Sequence, residues 1–464
     1  LNWDNAPGHS GYTVEGSGVH VLSVSPEYDK VNDVNYYDFD VTDFVNAYGD
    51  DGTVSLVLQA AEDVSGTIQF DKTWTELVVS QKDVYDWSYL DKVIGWAEDA
   101  GIKLEILWFA TDTCSVTIDS RVPLYVFNNY QKSLTDEELP FFKKQSGDPG
   151  VRITGTYWYL MCKNDMDLRA KEKQVIKDMF DHVARYNASA SIKNTIIGCQ
   201  VANEPQIGKL HGSSVKNSNG QTVPHCMCDN CISLKGSMGN QAFRDKTMWE
   251  YTNNLAAGVK ESDYSVWTRI NNVQGTDAEG VAYNEQMRAT TGTNVDYIGI
   301  DPYGQGLNYF YNLGHSSIYA RFGNLPMVME MGGEDDRTPK FIMKTLAGGG
   351  FYNVYDLCSP DGHSLYDGGV GQGDNIQPHG AYVEELRNTN KMLNKISYDL
   401  AVRRPDGAFG TTLKYFNDTG TAAEEITKQI RGIDVTYKTD NGGTGIAIEK
   451  NSKEISLVST TASK

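Results

Sequence analysis

Between residues 61 and 402, short apolar or β-branched runs alternate with stretches of helical spacing, and this alternation restricts the chain to parallel βα units. Seven runs read as strands: Thr67–Phe70, Lys103–Phe109, Thr195–Val201, Ser265–Ile270, Val295–Ile300, Leu325–Met329 and Phe351–Tyr355. Helical spacing marks Leu90, Val93, Ile94 and Ala97, then Val175, Ile176, Met179, Phe180 and Val183, and finally Val383, Leu386, Leu393 and Ile396. The segment 110–164 is expected to contain one further strand, third in order. Eight strands alternating with helices make a (β/α)8 TIM barrel the expected fold of residues 61–402, an α/β architecture.

Both flanks have a different texture. Residues 1–60 are β-rich, with short runs at 19–24, 36–41 and 53–58 separated by Gly, Asp and Asn, and are expected to form a small sandwich-like segment. Residues 403–464 return to alternation in Ile433–Tyr437, Gly445–Ile448 and Ile455–Val458, and read as a C-terminal β domain. Neither flank carries a dense aromatic array, so both are expected to brace the barrel.

The ends of the expected strands carry the chemistry. Asn203-Glu204-Pro205 follows Thr195–Val201, the expected fourth strand, and Glu330-Met331-Gly332-Gly333 follows Leu325–Met329, the expected seventh. Barrel enzymes present catalytic groups at the C-terminal ends of their strands. Two carboxylates so placed, far apart in sequence, are what glycoside hydrolysis needs: one acid and one nucleophile or base. Other strand ends offer a sugar-binding lining: Trp74 and Glu76, Trp108, Asn271, and Asp301-Pro-Tyr303, with Tyr355-Asp356 as a further wall. Turn chemistry, loop capping and core packing explain the same residues equally well in a lone sequence.

Several of these stretches resemble clan A glycoside hydrolases, and within that clan the β-galactosidase families 35 and 42. Thr67-Ile-Gln-Phe with Trp74-Thr-Glu76 and Tyr85–Lys92 is similar to their first strand and helix, Lys103–Phe109 to their second strand, and Ile197–Glu204 to their acid/base strand. The resemblance covers roughly residues 60–400. It implies Glu204 as acid/base, Glu330 as nucleophile and Asn203 as a hydrogen-bond partner of the sugar 2-hydroxyl. It also implies a retaining mechanism, with carboxyl groups about 5 to 5.5 Å apart and a Glu204 pKa raised by burial and the neighbouring charge. The loops at 110–150 and 206–240 do not match family 35 well, and Gly332–Asp336 departs from family 42. Those loops set the choice of sugar; the resemblance makes exo-acting β-galactoside cleavage the leading expectation, beside an endo-acting β-glycanase and a non-catalytic carbohydrate-binding barrel.

Cys226-Met-Cys228-Asp-Asn-Cys231 sets three thiols within six residues, a spacing that wraps around one tetrahedral Zn²⁺ with a fourth ligand from elsewhere. The family resemblance implies Cys162 as that ligand, with Cys114 and His225 as other candidates. Disulfides or free thiols remain the other readings of the cluster. The site is expected to pin a loop, and catalysis is expected to need no cofactor.

A formal net charge of −20 argues against nucleic acid as a partner. No run of 18 apolar residues exists, so no transmembrane helix is expected. The chain opens at Leu1 without Met or a signal-like segment, which reads as a mature or trimmed form. An oligosaccharide or polysaccharide substrate implies an extracellular or periplasmic setting. The sequence leaves a homo-oligomer open.

Overall fold

The computed structural model describes residues 27–29, 34–36, 85–109, 111, 116–117, 126, 130–131, 142–143, 156–159, 161–203, 209–210, 213–214, 224–273, 287, 290, 292–315, 323–331, 337–359, 365–367, 377–380, 382–403, 413–416, 424–439 and 445–459. The chain divides into two compact units, Leu1–Asp86 and Trp87–Lys464. Within the first, Glu27–Asp29 pairs antiparallel with Val34–Tyr36. The expected strands at 19–24, 53–58 and 67–70, with Trp74 and Glu76, lie outside the described residues.

The second unit is built on a six-stranded sheet of β1 (Leu104–Leu107), β2 (Ile196–Gln200), β3 (Trp267–Val273), β4 (Tyr297–Asp301), β5 (Met327–Val328) and β6 (Phe351–Tyr352), adjacent in that order. Every pairing is parallel. Parallel neighbours need crossovers, and helices lie between the strands: α1 (Ser88–Ala100) before β1, α2 (Met166–Ser189) before β2, α3 (Asp229–Lys235) and α4 (Asn240–Lys260) before β3, α5 (Leu307–His315) before β5, and α6 (Thr338–Ala347) before β6. A long helix, α7 (Tyr382–Arg403), follows.

The caps explain where the helices begin and end. The Asp165 carboxylate accepts from the Asp167 and Leu168 amides and starts α2. Gly101, at φ +67°, stops α1: its own N–H reaches Glu98 O while Ile102 N–H reaches Ala97 O, a Schellman closure. Leu168, Ile176, Met179, Phe180 and Val183 bury the apolar stripe of α2. It packs with Tyr251, Leu255 and Val259 of α4 and with Ile196, Ile270, Ile298, Ile300 and Val328 from the sheet. Gly258 permits the close approach of the two helices, because a Cβ there would stand 2.6 Å from the Lys173 carbonyl oxygen.

The segment 110–164 departs from expectation. β1 pairs directly with β2, with Ile106 opposite Cys199 and Leu107 opposite Gln200, so no third strand enters between them. The strands described in that segment, Val116–Thr117, Phe142–Lys143 and Thr156–Tyr159, instead form an antiparallel sheet of their own. Antiparallel strands need no helical crossover, so this stretch is an insertion after β1. β1 is therefore the direct neighbour of the strand that leads to Asn203, where the expected order placed one strand between them.

At the other end of the chain, β7 (Leu413–Phe416), β10 (Gly445–Asn451) and β11 (Glu454–Ser459) form one antiparallel sheet, and β8 (Glu424–Ile430) pairs with β9 (Ile433–Thr439). Ile446 and Ile448 of β10 share a core with Ile342, Met343 and Leu346 of α6 and Val383, Leu386 and Ile396 of α7. The β7–β10–β11 sheet therefore packs on α6 and α7, and the β8–β9 pair packs on that sheet through Ile430, Phe416 and Ala447. Among the described residues, no helix is long and apolar enough to cross a membrane.

Candidate active site

Alternate residues of β3 show how the sheet's inner face is made. Trp267 Nε1 and Arg269 Nε both donate to the Glu105 carboxylate, at 3.0 and 2.6 Å, forming a lower polar layer. Two residues further along, Asn271 reaches the strand ends. Its Nδ2 lies 2.7 Å from Asp301 Oδ2, 3.1 Å from Glu330 Oε1 and 3.3 Å from Asn203 Oδ1. Gln200 Nε2 donates to Asn271 Oδ1 at 3.0 Å and to Asn203 Oδ1 at 3.2 Å. Tyr303 OH donates to Glu330 Oε2 at 2.9 Å. The ends of β2, β3, β4 and β5 are thus joined by one hydrogen-bonded group of side chains.

The residues expected from sequence distribute unevenly within this group. Asn203, Asn271, Asp301, Tyr303 and Glu330 come together. Glu204, the chain neighbour of Asn203, lies outside the described residues. Asn271 and Asp301 are fully buried, Asn203 is buried, Glu330 is half-buried and Tyr303 is exposed. Trp108, just beyond β1, is half-buried, and its indole N–H has no hydrogen-bond partner among the described residues. Tyr355 is exposed beyond β6, its amide donating to Met331 O at 2.8 Å. Gln200 is the member that sequence reading missed. Its signal is an amide two residues after Gly198 on an otherwise apolar strand, which is the period of one sheet face.

The Glu330 carboxylate accepts hydrogen bonds on both oxygens and sits at the rim of a parallel sheet. A carboxylate held in this way is oriented for in-line attack or for general-base work.

Four sulfurs gather elsewhere in the unit. Cys162 precedes the cap of α2, Cys226 and Cys228 lead into α3, and Cys231 lies within it. All four are buried, and their sulfurs lie within 4.8 Å of one another. Cys162 Sγ is 3.5 Å from Cys231 Sγ and 3.7 Å from Cys228 Sγ. With Zn–S bonds near 2.3 Å, a tetrahedral site has sulfur–sulfur edges of about 3.8 Å, so the residues fit such an ion. Hydrogen bonds from neighbouring thiols, Cys162 first, hold the Cys228 thiol far below its ordinary range. Asn164 Nδ2 donates to Cys231 Sγ at 3.3 Å, which fixes the direction in which that sulfur points. Cys199 is buried within β2, away from this set, and carries no disulfide. Cys114 lies outside the described residues, and the His225 ring nitrogen Nδ1 is 2.8 Å from Cys226 O.

A second buried node lies between α2 and α4. The Glu172 carboxylate accepts from Thr111 N–H at 2.8 Å, Thr111 Oγ1 at 3.0 Å and Tyr251 OH at 2.9 Å. Burial pushes its pKa up from 4.5 to about 7, against those three donors and the Lys163 charge.

Comparison with known proteins adds four similarities. A family model described as a domain of unknown function, DUF4978, matches residues 248–435, a span that includes Asn271, Asp301, Tyr303 and Glu330 but not Glu204 or the four clustered cysteines. No curated protein compared with the chain matches it in sequence. Among solved structures, the chain is similar to the β-galactosidase of Rahnella sp. R3 at 12% identity and TM-score 0.41, over 70% of this chain and 50% of that one. The β-galactosidase of Marinomonas ef1 is similar at 10% identity and TM-score 0.43, over 70% and 55%. Native xylanase 10B of Thermotoga maritima is similar at 13% identity and TM-score 0.34, over 68% and 83%. The chain spans about half the length of the β-galactosidases it matches, and at these TM-scores the likeness stands as similarity alone.

Proposed function

We propose that this chain is a retaining β-glycoside hydrolase whose sheet completes as a (β/α)8 barrel, with Glu330 as nucleophile and Glu204 as acid/base. The observation that carries the reading is the setting of Glu330. It stands at the C-terminal end of a parallel strand, with one oxygen held by Tyr303 and the other by Asn271, beside the Asn203 that precedes Glu204. In the first step Glu330 attacks the anomeric carbon while Glu204 gives its proton to the leaving glycosidic oxygen. A glycosyl ester on Glu330 forms, and the aglycone alcohol departs. In the second step Glu204, now a base, takes a proton from water, which attacks the same carbon and releases Glu330. Asn203 would hold the sugar 2-hydroxyl, and Trp108 and Tyr303 would line the sugar subsite. The finer reading is exo-acting cleavage of terminal β-galactosides. We further propose that Cys162, Cys226, Cys228 and Cys231 hold one structural Zn²⁺ and that no cofactor takes part in catalysis.

The test is hydrolysis of nitrophenyl β-glycosides of galactose, glucose, mannose, xylose, fucose and arabinose, with Glu330→Gln beside the parent. The expected result is release from the galactoside, reduced at least about a thousandfold in the variant. Cleavage of polysaccharide but of no monosaccharide glycoside would move the assignment to an endo-acting glycanase. Wild-type turnover by Glu330→Gln would overturn the catalytic assignment.

A further inference from the structure

We propose that Asn271 and Asp301 are positioning residues that act on the substrate through the side chains they hold, Glu330 above all, with Asn203 as a second partner of the Asn271 amide. The inference rests on the glycosidase reading for its kinetic consequences, but its geometry stands independently. Both side chains are fully buried, so neither presents a polar atom to a sugar in the free protein.

The orientation of the Asn271 amide follows from its partners. The oxygens facing its nitrogen, Asp301 Oδ2 and Glu330 Oε1, belong to carboxyl groups that accept when ionised. Gln200 Nε2 faces its oxygen. The NH2 group must therefore point at the two carboxylates, and Gln200 locks it there. Asn271 thus fixes Oε1 of Glu330 from below while Tyr303 fixes Oε2 from the exposed side. A carboxylate pinned at both oxygens loses little rotational freedom on reaching the geometry of attack.

Asp301 supplies what a simple amide contact lacks. When Glu330 becomes an ester its charge disappears, and an ester oxygen is a weaker acceptor than a carboxylate. Asp301 keeps the Asn271 amide partnered in that state, so the wall need not rearrange between the two steps. Asp301 Oδ2 and Glu330 Oε1 share the one Asn271 amide nitrogen, so Asp301 also places a second carboxylate one hydrogen-bonded group behind the nucleophile, where like charges act on each other. The other titratable groups on these elements are Tyr303, which donates to Glu330, Cys199 within β2, Tyr297 at the start of β4, and Arg269, one layer down and paired with Glu105 at 2.6 Å. Tyr352 on β6 and, beyond it, Tyr355 and Asp356 are the titratable groups at the neighbouring strand end.

The test uses Asp301→Asn and Asn271→Ala in the full chain. The two substitutions must act in opposite directions. Removing the Asp301 charge makes Glu330 easier to ionise. Removing the Asn271 donor makes it harder. On the glycoside that the parent cleaves, Asp301→Asn is expected to move the acid limb of kcat/KM down by about half to one pH unit, and Asn271→Ala to move it up by a similar amount. In both, kcat is expected to fall about tenfold or more while KM changes less than about threefold. A ¹³C-carboxyl titration of Glu330, assigned by its loss in Glu330→Gln, reads the same two displacements without any substrate. Displacements of the same sign in both variants, or an unmoved Glu330 carboxyl, would overturn the proposal. If Asp301→Asn fails to fold, Asn271→Ala alone decides it by the direction in which the limb moves. Failure of the glycosidase reading shows separately, as wild-type turnover in Glu330→Gln or silence on every glycoside and polysaccharide, and leaves the carboxyl titration intact as the test of positioning.

Discussion

Glu172→Gln should remove a pH dependence of stability that the parent carries. Glu172 is buried, and burial lifts its pKa from 4.5 to about 7. Because the folded pKa lies above the unfolded one, its contribution to stability is complete below about pH 4.5 and is lost as pH rises through 7. The full span is about 3 kcal/mol, since each pH unit between the unfolded and folded pKa is worth about 1.36 kcal/mol. Of this, about 1.4 kcal/mol falls between about pH 6 and about pH 8.5. That window also keeps the chain clear of its sequence pI of about 4.8, where low net charge favours precipitation. Glutamine is neutral throughout, although its NH2 meets the Thr111 and Tyr251 donors poorly and imposes a constant cost of about 1–3 kcal/mol. The assay is urea denaturation of parent and variant at several pH values across the window. The constant cost cancels in the comparison, as do other titrations that the two proteins share. The stability deficit of the variant should shrink by about 1.4 kcal/mol from the acid to the alkaline end. Parallel curves would refute the argument that Glu172 ionises inside the fold near neutral pH.

Three further outcomes are expected. Metal analysis of the purified chain should find one zinc per molecule, Cys231→Ser should lose it, and the thermal midpoint of the variant should fall by several degrees, as follows from losing about 2 kcal/mol or more of site energy. Tyr303→Phe keeps the ring and removes the hydroxyl that donates to Glu330 Oε2; kcat on the cleaved glycoside should fall at least about tenfold, since hydrogen bonds to charged groups are worth about 1.5–3 kcal/mol. Gly258→Ala must push α4 away from the Lys173 carbonyl, and urea denaturation should show a loss of about 1–3 kcal/mol with no change in zinc content.

What the sequence disclosed and what it concealed divide along a physical line. The helix at 88–100 is legible because its determinants are local: apolar spacing at Leu90, Val93, Ile94 and Ala97, and a glycine at 101 that alone tolerates φ +67° cheaply. The strand centres are legible for the same reason, as is the gathering of Asn203 and Glu330, because parallel strands deliver their C-terminal ends to one rim. Cys226, Cys228 and Cys231 announce themselves by spacing alone. The error at 110–164 arises where local determinants stop. Thr156-Tyr-Trp-Tyr159 has the composition of a strand in any sheet, and its choice of antiparallel partners depends on contacts with Val116–Thr117 and Phe142–Lys143 that no window of sequence contains.

Buried polar groups are concealed by the same logic. Glu172 sits in Arg169-Ala-Lys-Glu-Lys173, which reads as the solvated face of a helix. It is buried only because α4 brings Tyr251 and the chain after β1 brings Thr111 to it. Gln200 looks like a tolerated amide in an apolar run until Asn271, from a strand 71 residues away, is set opposite it. Burial of a polar group costs free energy unless partners arrive together, and here each partner comes from a different element. The proposed nucleophile Glu330 could be named from its own strand. Asn271, Asp301 and Tyr303 are legible only as a sugar lining and Gln200 not at all, because the roles of Asn271, Asp301 and Gln200 as supports appear only when three strands stand side by side. Substitutions should therefore separate the two kinds of information: Glu330 variants change whether the reaction occurs, whereas Asn271 and Asp301 variants slow it and move, in opposite directions, the pH at which it occurs.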